Sequence, residues 1–394
     1  MPANVKVKVV SHGESVTDPL DCRMPIVGPG INQPDPFPGY GGFVGFSSPA
    51  RLRNGTWLVG FLAGYSHLHG PSPMDYYTEE ELAHVRESGY ALENYYAPTG
   101  ARAMFVRSND EGKTWSKPAT LIDTPANDAH PFFLELPTGT ILCSFFTAWG
   151  CHHRNDPALA YHVRFIRSFD GGFTWEQEPR LLPSPFLAEE TEAPMLHLEE
   201  GAVLIAVDGD PREGGPQQAA IFRTMDQGDT WELLSIVKAA HELSEPAIAQ
   251  LPDGRLVMIA RPKGAISWSE DCGRTWTQPQ SFGIPMYAPS LQVLQDGNLL
   301  CLHGSYSPGH GALRAILSPD GGKTWRAPAP DHGFLVDRTY GYGKGMLLPD
   351  GSLFISYMST GGHAPQDART NCLWSVRLRV RADCAGIDLL PAAR

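Results

Sequence analysis

The chain has 394 residues, of which 19% are charged and 42% hydrophobic, so it can bury a large core and is not disordered. Acidic residues number 43 and basic residues 31, and the formal net charge of -12 with no basic stripe argues against nucleic-acid binding. No apolar run is long enough to cross a bilayer, and the N-terminus lacks the apolar core of a signal peptide. We therefore expect a cytoplasmic protein without nucleic-acid or membrane partners.

The cysteine and histidine residues predict no metal centre. The seven cysteines are scattered, odd in number and form no Cys-x-x-Cys pair, so neither a disulfide framework nor a zinc site is expected. His130, His152 and His153 have a spacing that matches no known metal-binding motif. We expect a protein that works without a metal ion or an organic cofactor.

The first predicted elements are strands. Residues 1–10 alternate as a strand does, and a hairpin pattern follows in which a proline leads through apolar residues to a turn glycine. Each copy is followed by another short apolar run, which predicts a strand, a tight turn and a second strand. The copies are residues 49–55, 131–139, 194–201, 246–254 and 289–297, with a sixth, lacking the proline, at 343–351.

An insertion of residues 66–99 follows the first hairpin. The sequence Thr78-Glu-Glu-Glu81 predicts the start of a short helix that ends near Gly89. Tyrosines stand on both sides of this helix, at positions 76, 77, 90, 95 and 96. One interpretation is a lid whose aromatic rings stack on a sugar. The alternative is a packing flap or an interface through which copies of the chain form a homo-oligomer.

Five copies of one eight-residue pattern, Ser/Thr-x-Asp-x-Gly-x-Thr-Trp, follow along the chain. Their aspartates are Asp110, Asp170, Asp226, Asp271 and Asp320, 45 to 60 residues apart. The pattern predicts a hairpin turn in which Asp bonds backbone amides, Gly takes a left-handed φ and Trp is buried. Since nothing in the pattern requires chemistry, we interpret these aspartates as structural.

Together the two repeats predict the architecture. A spacing of this size is typical of propeller blades or solenoids. Six hairpins, each with one more strand ahead of the Asp turn and one behind it, give six units of four antiparallel strands. We predict an all-β six-bladed β-propeller, with a short helical insertion after the first inner hairpin. No linker-like run separates the units, so residues 1–394 are predicted to form a single domain with residues 66–99 as its lid.

The hairpin register indicates which residues reach the axis of the propeller. Residues at the starts of the innermost strands converge there, and Arg261 lies on the second strand of its hairpin. A packed axis would be apolar, because a buried unpaired charge is costly, so ionisable residues at these positions indicate a functional pocket. The residues at or just before the proline position are Ser47, Asp128, His130, Glu192, Glu245, Tyr287 and Tyr342.

The chain resembles the sialidase (neuraminidase) superfamily, whose members carry such Asp-box turns on a six-bladed propeller. The segment from Glu245 to Arg261 is similar to the family segment in which a glutamate and, sixteen residues on, an arginine face the pocket. The segment from Tyr342 to Gly351 is similar to the one that carries the nucleophilic tyrosine. The resemblance implies Tyr342 as nucleophile, Glu245 as its base, Arg261 as a clamp and Asp75, after the first hairpin, as general acid.

Three positions depart from the family pattern. Ser47 stands where the family has the first arginine of its carboxylate-binding triad, and Met358 replaces the glutamate that closes the last inner hairpin. Arg314 lies in the blade of the third arginine but only four residues before Ser318. These departures leave the identity of the sugar open.

The interpretation that follows is a sialidase-like exo-glycoside hydrolase acting on a terminal acidic sugar of a carbohydrate substrate. Its substrate-binding candidates are Arg261, Arg314, Asp128, Tyr287 and Ser47.

Three alternatives remain open. One is a glycosidase that uses Glu192 and Glu245 as a carboxylate pair on a neutral or arabinosyl sugar. Another is a uronate polysaccharide lyase in which His130 takes the proton beside Tyr342 and Arg261. The last is a propeller that binds glycans without catalysis, since a fold does not fix a function.

Overall fold

The computed structural model describes residues 6–10, 22–64, 100–148, 161–305, 312–329, 332–339, 341–358 and 371–392. Strands in the first half of the chain are β1 (Lys8–Val10), β2 (Met24–Val27), β3 (Phe43–Arg51), β4 (Trp57–Gly64), β5 (Arg102–Ser108), β6 (Ala119–Ile122), β7 (Asn127–Glu135), β8 (Ile141–Ala148), β9 (His162–Ser168) and β10 (Arg180–Leu181). Strands that follow are β11 (Ala188–Glu190), β12 (Leu196–His197), β13 (Val203–Asp210), β14 (Gln218–Thr224), β15 (Glu232–Val237), β16 (Ser244–Gln250), β17 (Leu256–Arg261), β18 (Ala265–Ser269) and β19 (Gln280–Ser281). The last strands are β20 (Tyr287–Val293), β21 (Leu299–Ser305), β22 (Ala312–Ser318), β23 (Thr324–Arg326), β24 (Phe334–Asp337), β25 (Lys344–Leu347), β26 (Leu353–Met358), β27 (Leu373–Val380) and β28 (Ile387–Leu390).

These strands form the predicted all-β six-bladed propeller of antiparallel, four-stranded blades, which confirms the fold class. Strand orders β3-β4-β5-β6, β7-β8-β9-β10 and β16-β17-β18-β19 are simple meanders. A fourth sheet contains β12 to β15, a fifth contains β20 to β24, and a sixth contains β25 to β28. The strand expected near the N-terminus is β1, which pairs with β23 in parallel. The predicted helix within residues 66–99 lies outside the described residues.

The chain divides into two compact units. The first unit consists of Met1–Met24, Thr191–Tyr357 and Ser375–Arg394, and it contains the sheets from β12 to β24. The second unit consists of Pro25–Glu190 and Met358–Trp374, and it contains the sheets from β3 to β10. A single domain over residues 1–394 stays a prediction.

Each unit has its own apolar core. In the first unit, Val257, Ile259 and Trp325 belong to one cluster in which all three are fully buried. In the second unit, Leu58 and Phe145 are fully buried in another cluster. Burying one such large side chain is worth about 1.5–3 kcal/mol, so these alternating strand residues hold the sheets together.

The Asp turns have the local structure that the sequence predicts. In the first turn, Asp110 accepts hydrogen bonds from the backbone N–H of Thr114 at 2.9 Å and from its hydroxyl at 2.5 Å. Gly112 has φ 80° and donates its N–H to Ser108 at 2.9 Å. The bonds from Thr114 hold the pKa of Asp110 below its ordinary value, at about 2. The side-chain oxygens of these aspartates are therefore used within the turns, as expected for a structural role.

Candidate active site

The inner strands carry an irregular backbone at the points where the site residues stand. Strands β3, β7, β16 and β20 each have a register shift against their neighbour. Non-glycine residues there have a left-handed φ, namely Phe46 (54°), His130 (54°), Glu245 (50°) and Ala288 (47°). Tyr342, ahead of β25, has φ 62°. Such conformations cost about 1–3 kcal/mol each and persist only where the surrounding contacts hold them.

The left-handed residues coincide with predicted site residues in three of these segments. They are His130 on β7, Glu245 on β16 and Tyr342 ahead of β25. On β3 and β20 the left-handed residues are Phe46 and Ala288, and the predicted residues Ser47 and Tyr287 are their neighbours in the sequence.

The Glu245 carboxylate is the centre of the candidate site. Its Oε1 atom accepts a hydrogen bond from the Tyr342 hydroxyl at 3.1 Å and another from Nη1 of Arg261 at 2.8 Å. Its Oε2 atom accepts one from the backbone N–H of Ala288. The Glu245 side chain is 6% exposed and that of Arg261 is 29% exposed, so Arg261 also reaches solvent. Three predicted site residues are thus in direct contact.

Asp208 supports the backbone of Glu245. The N–H of Glu245 donates to Oδ1 of Asp208 at 3.0 Å, and the hydroxyl of Ser244 donates to Oδ2 at 3.4 Å. Asp208 is fully buried at the end of β13. Because this carboxylate satisfies an N–H that the bulge removes from the sheet, it holds the left-handed conformation of Glu245 in place.

Tyr287 packs against the segment that carries Tyr342. The two ring centroids are 5.3 Å apart, and the Tyr287 hydroxyl accepts the N–H of Gly341 at 3.1 Å. A Cβ atom at Gly304 would stand 2.1 Å from the Tyr287 ring, so glycine is required there. Tyr287 is therefore a buried residue that positions Tyr342, in addition to its predicted role in substrate binding.

Glu192 and Lys344 are two further ionisable residues that are buried in the same unit. Both are buried, with exposures of 3% each. Burial raises the pKa of Glu192 well above its ordinary value, against the opposing effect of the Lys344 ammonium group. Burial likewise lowers the pKa of Lys344, against the effects of Glu192 and Glu245. The structure brings the predicted Glu192 to this cluster.

The sequence patterns indicate neither Lys344 nor the supporting role of Asp208. Lys344 lies two residues after Tyr342, and residues two apart on a strand share a face, which is the one signal that could have revealed it. Asp208 stands next to a hairpin repeat, but its contact with the backbone of Glu245 depends on the bulge in β16.

Arg314 has a structural partner on its own blade. It lies on β22, is 7% exposed, and its Nη1 atom donates to the carbonyl oxygen of Gly333 at 3.1 Å. Its predicted contact with a substrate carboxylate stays a prediction.

The second unit holds three further candidates. Ser47 is fully buried on β3. Both carboxylate oxygens of Asp128 accept hydrogen bonds from Thr124, at 2.6 and 2.9 Å, and burial raises the pKa of Asp128 to about 7. The ring of His130 stacks on Phe46 at 4.1 Å and meets Phe146 edge-on at 4.7 Å. The catalytic role of His130 and the substrate contacts of Ser47 and Asp128 stay predictions.

Other predicted residues lie outside the described ranges. These are Asp75, the tyrosines of residues 66–99, His152 and His153. Within the described ranges, no three His, Cys, Asp or Glu side chains are grouped as metal ligands would be. No helix in that part of the chain is long and apolar enough to span a membrane.

The repeated Asp turns on six antiparallel sheets, with a tyrosine and a glutamate joined by a hydrogen bond, define an Asp-box β-propeller of the sialidase-like class. Residues 129–355 match the family model described as the BNR repeat-like domain. This match covers more than half of the chain, so the chain belongs to the BNR repeat-like family.

Two curated relatives are glycoside hydrolases. A sialidase of Bacteroides fragilis (strain YCH46) is 23% identical over 265 residues, which cover 67% of this chain and 40% of the relative. A xyloglucanase of a Paenibacillus species is 26% identical over 200 residues, which cover 44% of this chain and 19% of the relative. The chain thus spans less than half the length of either relative.

Solved structures share the fold at low identity. A protein of unknown function from Dyadobacter fermentans DSM 18053 matches 91% of this chain and 98% of its own, with TM-score 0.67 and 19% identity. The match to a Hadza microbial sialidase covers 85% of this chain and 65% of the sialidase chain, with TM-score 0.62 and 15% identity. The match to the intramolecular trans-sialidase from Ruminococcus gnavus covers 86% of this chain and 94% of the trans-sialidase chain, with TM-score 0.58 and 12% identity.

Proposed function

We propose that the protein is an exo-acting glycoside hydrolase that removes a terminal acidic sugar by a sialidase-like mechanism. The observation that carries the proposal is the 3.1 Å hydrogen bond from the Tyr342 hydroxyl to Glu245. A tyrosine is a weak nucleophile near neutral pH unless a neighbouring base takes its proton, and Glu245 is in place to do so. The glycosidase relatives support the same class of reaction.

In the proposed first step, the Tyr342 oxygen attacks the anomeric carbon while its proton passes to Glu245. The bond between that carbon and the leaving oxygen breaks, and a general acid, for which Asp75 is the candidate, supplies a proton to the leaving oxygen. Water then attacks the same carbon, gives one proton back to the general acid and releases Tyr342, which regains its own proton from Glu245. A phenol carries no charge before attack, so it avoids repulsion from an anionic sugar, which a carboxylate nucleophile would not.

Arg261 is proposed to bind the sugar. Its side chain is partly exposed, and a guanidinium group that reaches solvent can form charge-assisted hydrogen bonds to a carboxylate or hydroxyl. Its second role is to keep Glu245 oriented, through the 2.8 Å contact to Oε1. With Ser47 and Met358 at positions where the resembled family has charged groups, Arg261 is the central anion-binding group of the proposal.

A two-carboxylate glycosidase is the second candidate. The pKa of Glu192 is raised well above its ordinary value by burial, and a carboxyl group that stays protonated near neutral pH is suited to act as a general acid. In this mechanism Glu245 would serve as the partner carboxylate. The two candidates differ in whether the Tyr342 oxygen is needed.

The test is turnover of a panel of aryl glycosides, including a sialoside and neutral and arabinosyl donors. We expect release from the sialoside, with kcat/KM reduced at least about 10²-fold in Tyr342→Phe. Tyr40→Phe, which removes one phenol oxygen in the second unit, is the matched control and should keep its activity. Release only from neutral or arabinosyl donors, retained in Tyr342→Phe and lost in Glu192→Gln, would establish the two-carboxylate mechanism instead.

Two further readouts separate the remaining alternatives. Uronic-acid oligosaccharides would give an unsaturated, absorbing product if the protein were a lyase, and that product should vanish in His130→Ala. Glycan binding without release of any aglycone would indicate a binding propeller.

A further inference from the structure

The second Asp turn, which follows β9, exposes two phenylalanine rings to solvent. Phe169 is 65% exposed and Phe173 is 74% exposed, the highest values for large apolar residues in the part of the chain that the structure describes. The turn does not need these rings, because its side-chain hydrogen bonds are made by Ser168, Asp170 and Thr174. Neighbouring exposed apolar groups on a soluble protein often mark a binding surface.

The other four Asp turns have no aromatic residue at the two corresponding positions. The pairs that stand there are Asn109 and Lys113, Met225 and Asp229, Glu270 and Arg274, and Pro319 and Lys323. The turn therefore forms without a ring at either position, and the two phenylalanines of the second turn are a local addition to it.

An arginine holds each ring from one side. The guanidinium carbon of Arg107 lies 4.2 Å from the centre of the Phe173 ring, and that of Arg167 lies 5.2 Å from the centre of the Phe169 ring. Arg107 is fixed in turn, because its Nη1 atom donates to the carbonyl oxygens of the two turn glycines at 3.0 Å each. Such cation–π contacts orient a ring by covering one of its faces. Since both residues are largely exposed, the opposite faces are available to a ligand.

A polar cleft lies next to these rings. It is open, has a volume of about 460 Å³ and is lined by residues 176–180. Arg167 links it to the turn, because the guanidinium group beside Phe169 also donates from Nη2 to Oε1 of Glu176 at 3.0 Å. Arg180 donates to the other oxygen of that carboxylate at 2.5 Å. The surface thus combines flat apolar rings with fixed polar groups, the composition expected of a small-ligand site.

We infer that this surface, formed by Phe169, Phe173 and the cleft of residues 176–180, binds pyranose units of a neutral polysaccharide. The C–H groups on one side of a pyranose ring are slightly positive and stack on the electron-rich face of an aromatic ring. The sugar hydroxyls can both donate and accept, so they suit carboxylate, amide and guanidinium groups.

The size of the apolar area favours a sugar over a protein partner. From the exposed fractions, the two rings present roughly 200–350 Å² to solvent. A stable protein interface buries about 800 Å² on each partner. The surface belongs to the second unit and shares no residue with the Tyr342 and Glu245 site of the first unit, so the inference does not rest on the proposed function.

The test is native gel electrophoresis of the whole chain in gels that contain hydroxyethylcellulose or galactomannan, two soluble neutral polysaccharides. We expect both or one of them to retard the wild type. Phe169→Asn with Phe173→Lys gives the second turn the residues of the first, and it should bind at least about tenfold more weakly. Mobility in gels without polysaccharide corrects for the added charge. Met225→Asn is the matched control, because Met225 is 61% exposed at the corresponding position of the third turn but has no ring; it should bind as the wild type does.

Three results of these gels would overturn the inference. The first is no retardation of the wild type by either polysaccharide, and the second is equal retardation of the wild type and the double variant. The third is retardation by acidic polygalacturonan alone that salt abolishes, because the arginines would then bind by charge without the rings. Sedimentation adds a fourth: self-association of the wild type that the double variant loses would assign the surface to a second copy of the chain.

A second readout needs no variant and decides even if the double variant does not fold. In hydrogen exchange of the wild type with mannohexaose or cellohexaose, the amides of residues 168–180 should exchange more slowly, while those of the corresponding first turn, residues 108–120, should not change. Unchanged exchange in residues 168–180 with both oligosaccharides contradicts the inference. Turnover of aryl glycosides enters neither measurement, so this inference and the proposed function fail separately.

Discussion

Gly304→Ala is expected to damage the site through Tyr287, without touching a proposed catalytic group. A Cβ atom at Gly304 would stand 2.1 Å from Cε2 and Cζ of the Tyr287 ring, so the ring must move by about 1.3 Å to reach an ordinary contact of 3.4 Å. Overpacking of this kind costs about 1–3 kcal/mol of stability. The same movement disturbs the bond from Gly341 and the ring contact with Tyr342.

The expected effect on catalysis is larger than the effect on folding. A displacement of about 1 Å at a reacting group can cost about 10²-fold in rate, so kcat should fall by up to that factor while most of the protein remains folded. Urea unfolding gives the stability, and kcat on the best aryl glycoside gives the activity. Gly386→Ala is the control, because the nearest atom to its added Cβ would be 3.4 Å away, and it should match the wild type in both.

A double variant tests whether the damage runs through Tyr287. Tyr287→Ala removes the ring, so adding Gly304→Ala to it should cost almost nothing further in stability, which a double-mutant cycle reports as coupling of about 1 kcal/mol or more. If Gly304→Ala unfolds within about 0.5 kcal/mol of the wild type and keeps its kcat, the proposed packing of Tyr287 is wrong.

Three other changes test the supporting structure. Asp208→Ala removes the acceptor for the Glu245 N–H, which should cost about 1–3 kcal/mol in urea unfolding and lower kcat; unchanged values of both would contradict its role. Arg23→Met leaves Asp337, fully buried and bonded to Arg23 at 2.6 Å by both oxygens, without its cation, so unfolding free energy should fall by about 3–5 kcal/mol. Because the pKa of Asp110 is lowered to about 2, its contribution to stability is present above about pH 4 and lost as pH falls toward 2. Asp110→Asn should therefore flatten the acid side of the stability profile, and a slope equal to that of the wild type would refute this.

The fold could be predicted because its signal is local and repeated. Each Asp turn closes its hydrogen bonds within seven residues, as Asp110 and Thr114 illustrate, so the sequence alone determines its shape. The contact of Glu245 with Arg261 was predictable for a related reason. Ser244 pairs with Arg261 across the hairpin of β16 and β17, and Glu245 follows Ser244 directly. A separation of sixteen residues in this hairpin therefore brings the side chains of Glu245 and Arg261 into contact.

The rest of the site depends on contacts between blades, which no repeat specifies. The hydrogen bond from Tyr342 to Glu245 joins residues 97 positions apart, and only the resemblance suggested it. Lys344 was missed because the carboxyl groups that act on it, Glu192 and Glu245, lie on other blades and far from it in the sequence. The bulges were missed because one extra residue in a strand leaves the surrounding pattern of apolar residues almost unchanged.

Five non-glycine residues on or next to the inner strands share a left-handed backbone conformation. Phe46, His130, Glu245, Ala288 and Tyr342 share φ values between 47° and 62°, although their side chains range from a methyl group to a carboxylate and aromatic rings. A strained conformation that recurs regardless of side chain is therefore a property of the blade, and its cost is met by the fold rather than by the site. Substituting Glu245 by glutamine or Tyr342 by phenylalanine should leave this backbone unchanged, so a loss of activity in those variants would report on the functional groups themselves.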